Sequence, residues 1–466
     1  MTPNKNNASI IRRDLLVRIS RIILEGNSQL ANSIPIEIKP KTKDAWRCCV
    51  YKDRAVLKYK LMALLGYSEL DETDELVPLS WYVDNSKAHD DFFLKLIPEA
   101  CSNCPSAHYE VSNLCRSCEA RPCQVNCPKN AISFRNGKAF IDNDACVNCG
   151  KCMKECPYNA IHFQARPCEA VCPVDAIVQD EFGNEYIDQK KCILCGKCMQ
   201  ACPFGAIIPS TALPQIIKDI NNGNEVVALV APSIAGQFRE KLAKIYGSII
   251  KLGFKELCEV AWGAEKTADY ETRELHELLE SKDSKPLMSS CCPAWVDFAQ
   301  KSSFDYSRYI SDTPSPLCYT AREARKKFPN AKLVFISPCI AKKQEAKLNV
   351  DVDYCISFEE LGAYLVASGI EISEQKEYEA VLSGNKLAKN FAAAGGVAQS
   401  IKNTLNKEVN ISFVQGLDKS NQRKIRQMLK KNEFDFLEVM SCEGGCLGGC
   451  QNITSLVEGD RIFQKK

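Results

Sequence analysis

The stretch Lys332-Leu333-Val334-Phe335-Ile336-Ser337-Pro338-Cys339-Ile340-Ala341-Lys342-Lys343-Gln344-Glu345 sets the reading of the C-terminal half. A short, continuous apolar run of this kind is what a strand buried on both faces of a parallel sheet requires. It ends on a cysteine. Similar runs occupy residues 226–231, 285–288, 411–414 and 434–439. Helical patterns such as residues 419–429 lie between them, which predicts an α/β domain. Two more runs end in cysteine motifs. Residues 285–288 lead into Ser289-Ser290-Cys291-Cys292-Pro293-Ala294-Trp295, and residues 434–439 into Glu438-Val439-Met440-Ser441-Cys442-Glu443-Gly444-Gly445-Cys446. Open α/β folds place their sites at the carboxyl ends of parallel strands. The expected picture is two sheet-containing lobes with a site in the cleft.

The chain has 466 residues, enough for two or three domains, and an ordinary globular composition except for 27 cysteines. Disulfide scaffolds are short, loop-rich and exported. This chain opens with the polar Met1-Thr2-Pro3-Asn4-Lys5 and has no apolar run of membrane-spanning length. Arg12-Arg13 faintly suggests a twin-arginine signal, but Arg18, Arg21 and Glu25 follow it. The cysteines therefore read as metal ligands in a cytoplasmic setting, with no membrane association. The formal charge of +2 counts every cysteine as neutral. Thiolate ligation of five clusters would bring the loaded protein to about −8. Scattered basic residues argue against a nucleic-acid partner.

Residues 10–25 carry Ile11, Leu15, Ile19, Ile22 and Ile23 at helical spacing, with Gly26 as a stop. Residues 1–100 as a whole read as a mostly helical N-terminal region, in which Cys48-Cys49 lacks ligand spacing. Residues 101–210 read as an iron–sulfur module, and residues 211–466 as the α/β domain. Cys146-x2-Cys149-x2-Cys152-x3-Cys156-Pro157 and Cys192-x2-Cys195-x2-Cys198-x3-Cys202-Pro203 are complete bacterial ferredoxin runs. Cys115-x2-Cys118-x4-Cys123-x3-Cys127-Pro128 precedes the first, and Cys168-x3-Cys172-Pro173 the second. The repeated Ala-Arg-Pro-Cys before Cys123 and Cys168 marks an internal duplication. Zinc sites leave the x2-x2-x3-Pro pattern unexplained.

In two-cluster ferredoxins the fourth cysteine of a run ligates the other cluster. That rule gives one set from Cys115, Cys118, Cys123 and Cys156, and another from Cys146, Cys149, Cys152 and Cys127. A third is Cys192, Cys195, Cys198 and Cys172. Cys168 and Cys202 are left over, because Ala160 and Phe163 stand where the second duplicate's CxxC is missing. Cys101-x2-Cys104 is the nearest unassigned pair, with His108 as a substitute ligand. The module then holds three to four accessory [4Fe-4S] clusters.

The three cysteine motifs resemble the signatures of the [FeFe]-hydrogenase catalytic domain. By that resemblance Cys292, Cys339, Cys442 and Cys446 hold the cubane of an H-cluster, and Cys446 bridges to a di-iron subsite. That subsite carries CO, CN and a bridging dithiolate. Lys342 matches the cyanide-binding lysine, with Ser337 and Met440 also lining the cofactor. Cys291 matches a proton-relay thiol, Glu271 and Glu274 the relay glutamates, and Ser311 the relay serine. The implied reaction is the reversible formation of H₂ from protons and electrons. The implied partners are ferredoxin or a similar electron carrier, and hydrogenase maturation proteins.

Departures from the well-studied members point to a divergent branch, usually called group B. Ser337 replaces a methionine, Ala294 a glycine and Leu317 a glutamine. Leu447-Gly448-Gly449-Cys450-Gln451-Asn452 replaces a run of three glycines, Gln and Pro. The N-terminal stretch from Arg47 to Arg54 also resembles that branch. Two alternatives stay open: a non-enzymatic iron–sulfur assembly protein of the prelamin-recognition-factor type, and a hydrogen sensor.

Overall fold

The computed structural model describes residues 6–87, 92–105, 107–181, 185–281, 285–405 and 407–466. The polar N-terminus at residues 1–5 lies outside them. Contacts gather the chain into two compact units, Ser102–Val171 and the remainder, Met1–Cys101 with Cys172–Lys466. The three regions expected from the sequence are thus grouped differently. Residues 1–101 and the second half of the iron–sulfur module fold with the α/β region.

Numbering only the parallel strands, β1 is Val226–Val230, β2 Glu256–Glu259, β3 Leu287–Met288, β4 Lys332–Ile336, β5 Tyr354–Ile356, β6 Ile411–Gln415 and β7 Phe436–Met440. One sheet has the order β2-β1-β4-β5 and the other β3-β7-β6, every pair parallel. Every residue of β1 and β7 is buried, as their unbroken apolar runs demand. The run at residues 285–288 yields only the two-residue β3. The run at 434–439 starts as a strand two residues later than expected. Helices follow the site-bearing strands: Ala261–Glu280 after β2, Pro293–Lys301 after β3 and Ala341–Leu348 after β4.

The first helix, Asn7–Glu25, begins with the Asn6 side chain accepting the Ser9 N–H and ends at Gly26 in the left-handed region. Its buried Leu15, Leu16 and Ile19 are accompanied by a polar anchor. Arg12 and Arg13 each reach the buried Glu359 carboxylate at 2.8 Å. Lower down, Leu94–Leu96 pairs antiparallel with Ile207–Pro209. These two attachments are why the N-terminal region belongs to the larger unit.

The unit Ser102–Val171 is built from two antiparallel pairs, His108–Val111 with Ile161–Gln164 and Ile132–Arg135 with Lys138–Ile141. Its core is small. Tyr109, Ile132, Ala139, Ile141 and Ile161 surround buried Cys123 and Cys152.

Candidate cluster-binding centre

In each ferredoxin-type run the residue before the second cysteine adopts a positive φ: Ser117, Asn148 and Leu194 at 50°, 53° and 54°. The resulting tight turns aim backbone N–H groups at sulfur. Cys127, Cys156, Cys172 and Cys202, each followed by a proline, accept the N–H of the alanine four residues on. The distances are 3.3 Å for Cys127 and Cys156, 3.2 Å for Cys172 and 3.4 Å for Cys202. Such bonds stabilise thiolate and cluster sulfur.

The thiols lie near one another in groups. Burial raises the pKa of Cys123, with Cys118, Cys156 and Cys115 adding to the rise. Burial likewise raises Cys152, beside Cys146, Cys149 and Cys127, and these four line one cavity of about 340 Å³. Cys198 is raised by burial and then by Cys195, Cys192 and Cys172. The four cysteines left for a fourth cluster are divided between the units, Cys104 and Cys168 in the smaller, Cys101 and Cys202 in the larger. His108 Nε2 lies 3.5 Å from a Glu110 oxygen.

A second kind of centre lies at the carboxyl ends of β1, β3, β4 and β7. Cys292 caps the Pro293–Lys301 helix just after β3, and Cys339 follows β4 by three residues. Cys442 comes two residues after β7, and Cys446 sits in the short 3-10 turn Gly445–Gly448. All four line one cavity of about 800 Å³, together with Cys291, Ser337, Lys342 and Met440. Leu317, Phe335, Phe391 and Ala392 make most of its remaining wall apolar. Burial pushes the Cys446 thiol up to about 12 and drives Cys339 and Cys442 well above the ordinary thiol range. Bare thiolates are therefore disfavoured here, and an incoming iron–sulfur core would supply the missing positive charge.

The cavity fits such a group on a second count. Among the described residues three oxygens at or near it are buried without a hydrogen-bond partner: Ser233 Oγ, Ser441 Oγ and Glu271 Oε2. Ser233 and Ser441 line the cavity itself. Natively buried polar groups are rarely left so.

Glu271 and Glu274 sit one turn apart on the Ala261–Glu280 helix. Glu271 is fully buried, and its other oxygen accepts from the Ser290 N–H at 3.0 Å and the Ser290 hydroxyl at 3.2 Å. Burial, then Glu274 and Glu438, raise its pKa to about 8 against those two bonds. Cys291 is pushed well above its ordinary value by burial first and by the Glu271 carboxylate next. Ser311 Oγ donates to Glu274 at 2.5 Å, and Thr313 Oγ1 donates to the same oxygen at 3.4 Å. Ser290, Ser311 and Thr313 all face an outer cleft of about 1330 Å³.

Lys342 reaches the same region from the other side. Its ammonium pairs with Glu345 at 2.5 Å and donates to Ser315 Oγ at 3.1 Å. Burial alone would lower its pKa, but Glu345 and nearby thiols hold it above the ordinary range. Glu345 was within reach of the sequence, one helical turn after Lys342. Ser441 lay inside a quoted motif, yet nothing in its neighbours marks an unpartnered hydroxyl. Ser233, just past the end of β1, carries no motif at all.

Residues 224–450 match the family described as iron only hydrogenase large subunit, C-terminal domain. The chain is [FeFe]-hydrogenase-like. Residues 185–208 match a 4Fe-4S binding domain, and residues 115–166 the LdpA Fe-S cluster-binding domain. Iron–sulfur clusters are thus its cofactors. Iron hydrogenase 1 of Clostridium pasteurianum is 23% identical over 293 residues, covering 50% of this chain and 51% of that protein. The cytosolic Fe-S cluster assembly factor narfl of Xenopus tropicalis is 26% identical over 237 residues, 39% of this chain and 50% of that one. A solved [FeFe]-hydrogenase of Chlamydomonas reinhardtii aligns with a TM-score of 0.45 at 19% identity, covering 53% of this chain and 87% of that chain. The [FeFe]-hydrogenase-like chain spans about half the length of the first curated relatives it matches. Among its described residues no helix is long and apolar enough to cross a membrane.

Proposed function

We propose that the chain is an [FeFe]-hydrogenase interconverting protons and electrons with H₂, set in the cytoplasm and served by ferredoxin or a similar carrier. One observation carries the reading: four thiols from three distant segments share a mostly apolar cavity with a fifth thiol, Cys291, and a buried cation, Lys342. Cys292, Cys339, Cys442 and Cys446 would hold the cubane, with Cys446 shared with a di-iron subsite. When bound, that H-cluster supplies the open metal position at which hydrogen is made or split.

The chain's own residues supply the rest. Lys342 and the Ser233 hydroxyl offer donors to anionic cyanide in a site that excludes water. Cys291 holds a proton on Sγ, and the unpartnered Glu271 Oε2 is a nearby carboxyl oxygen able to exchange it. Glu274 and Ser311, joined at 2.5 Å, continue toward the outer cleft. Electrons enter through the three sets of ferredoxin-type thiols.

The second reading is a non-enzymatic assembly protein, favoured by relatives named as cytosolic Fe-S cluster assembly factors. Such a protein has no use for a relay thiol beside a cubane. The test is H₂ evolution from a reduced dye by anaerobically matured protein. Cys291→Ala should lose most turnover while keeping its iron. Wild-type protein inert after competent maturation would favour the assembly reading.

A further inference from the structure

Serines flank every cysteine motif of the cavity, and most are satisfied. Ser289 Oγ accepts the Val439 N–H at 3.1 Å, Ser290 Oγ donates to the Thr313 carbonyl at 2.6 Å, and Ser337 Oγ accepts the Cys339 N–H at 3.3 Å. Ser441 is the exception within the motifs. It is 1% exposed, lines the cavity, and its Oγ has no hydrogen-bond partner among the described residues.

Its backbone is pinned on both sides. The Ser441 N–H points at Cys292 Sγ, and its carbonyl accepts the Leu417 N–H at 3.0 Å. The hydroxyl therefore cannot leave by a shift of the chain. Met440 precedes it at the end of β7 and Cys442 follows it, so the groups next to it are sulfur ligands and apolar wall. Leaving a hydroxyl here costs stability in the bare protein, with no compensation until an acceptor arrives.

The geometry points to Ser441 as a positioning residue whose hydroxyl donates a hydrogen bond to sulfur of the cubane held by Cys292, Cys339, Cys442 and Cys446. This rests on the cubane reading above and deepens it. A hydrogen bond to cluster sulfur favours the more negative, reduced state. The Ser441 hydroxyl thus raises the cubane's reduction potential and eases electron arrival from the accessory clusters.

The experiment uses the full chain with its iron–sulfur clusters reconstituted and no di-iron subsite added. Iron content, potentiometric EPR titration and pulsed EPR in H₂O and D₂O are compared for wild type, Ser441→Ala and Ser441→Cys. Ser441→Ala should keep the wild-type iron, move the cubane midpoint to a more negative value, and lose one exchangeable-proton coupling. Ser441→Cys, a weaker donor, should fall between the two. An unchanged midpoint and unchanged couplings in Ser441→Ala would overturn the inference while leaving the cubane reading intact. Loss of the cubane from both variants would also overturn it, since the residue would then be structural. The cubane reading itself fails separately, if Cys442→Ala with Cys446→Ala carries as much iron as wild type.

Discussion

Two regions of this molecule gather cysteines, and they do so by opposite means. In the unit Ser102–Val171 most of each ligand set lies within one turn-rich run, shaped by positive-φ residues such as Ser117 and Asn148. In the α/β region the four thiols come from three segments far apart in sequence. They meet only because β3, β4 and β7 end on the same cavity. The first arrangement is local and leaves little room for a core. The second stands on cores of its own, one around Met288, Trp295, Phe298 and Tyr306, another around Leu275, Leu287, Phe391 and Phe436. The contrast says that metal should make the first fold and only furnish the second.

The largest expected effect follows directly. Stripping iron with a chelator under anaerobic, reducing conditions should unfold the smaller unit and spare the larger. Hydrogen exchange would show the hairpin of Ile132–Arg135 and Lys138–Ile141 losing protection while β1 keeps it. Simultaneous loss in both would erase the distinction.

The next test sharpens how the N-terminal region belongs to the larger unit. Glu359 is 2% exposed and holds both Arg12 and Arg13. Glu359→Ala leaves a buried guanidinium without its counter-charge and should cost roughly 3–5 kcal/mol in denaturant unfolding. A cost under about 1 kcal/mol would mean the first helix is held by its apolar face alone.

That ion pair also shows where the sequence could and could not be read. The turns of the cysteine runs were legible because the x2-x2-x3-Pro spacing is itself the geometry. The parallel strands were legible because each is an unbroken apolar run, as residues 332–336 are. The grouping into units was not, since it depends on Glu359 meeting Arg12 across the chain and on residues 94–96 pairing with 207–209. A truncation after residue 205 would therefore cut into the larger unit. Excision of 102–171 follows the fold instead. In the cavity, the cysteine motifs marked the thiols that line it, while the state of each hydroxyl depends on three-dimensional neighbours that no motif encodes.

The α/β region carries a pH signature at Glu271. Burial raises Glu271 from an ordinary value of 4.5 to about 8. The folded state thus holds this proton more tightly than the unfolded one. The stability it confers is complete below about pH 4.5 and is lost as the pH rises through about 8. Wild type should lose on the order of a few kcal/mol across that window relative to Glu271→Gln, which cannot ionise. Parallel stability profiles for the two proteins would place the proton elsewhere.

A smaller effect probes where a local cysteine run meets the loop that carries Cys450. Gly196 has φ +73°, and a Cβ there would fall 2.4 Å from Cys450 Sγ. Gly196→Ala should cost about 1–3 kcal/mol through overpacking and backbone strain. At Gly150, the matching position in the smaller unit, a Cβ would fall 2.7 Å from the Tyr109 hydroxyl, at the end of a side chain that can turn aside. Equal costs at the two glycines would show that the Cys450 contact adds nothing.

The most direct test of the central claim is infrared spectroscopy of the anaerobically matured full chain. Bands from metal-bound CO and CN should appear, persist in Cys291→Ala and disappear in Cys446→Ala. Protein that takes up its iron–sulfur clusters but shows no such bands after competent maturation would contradict that claim.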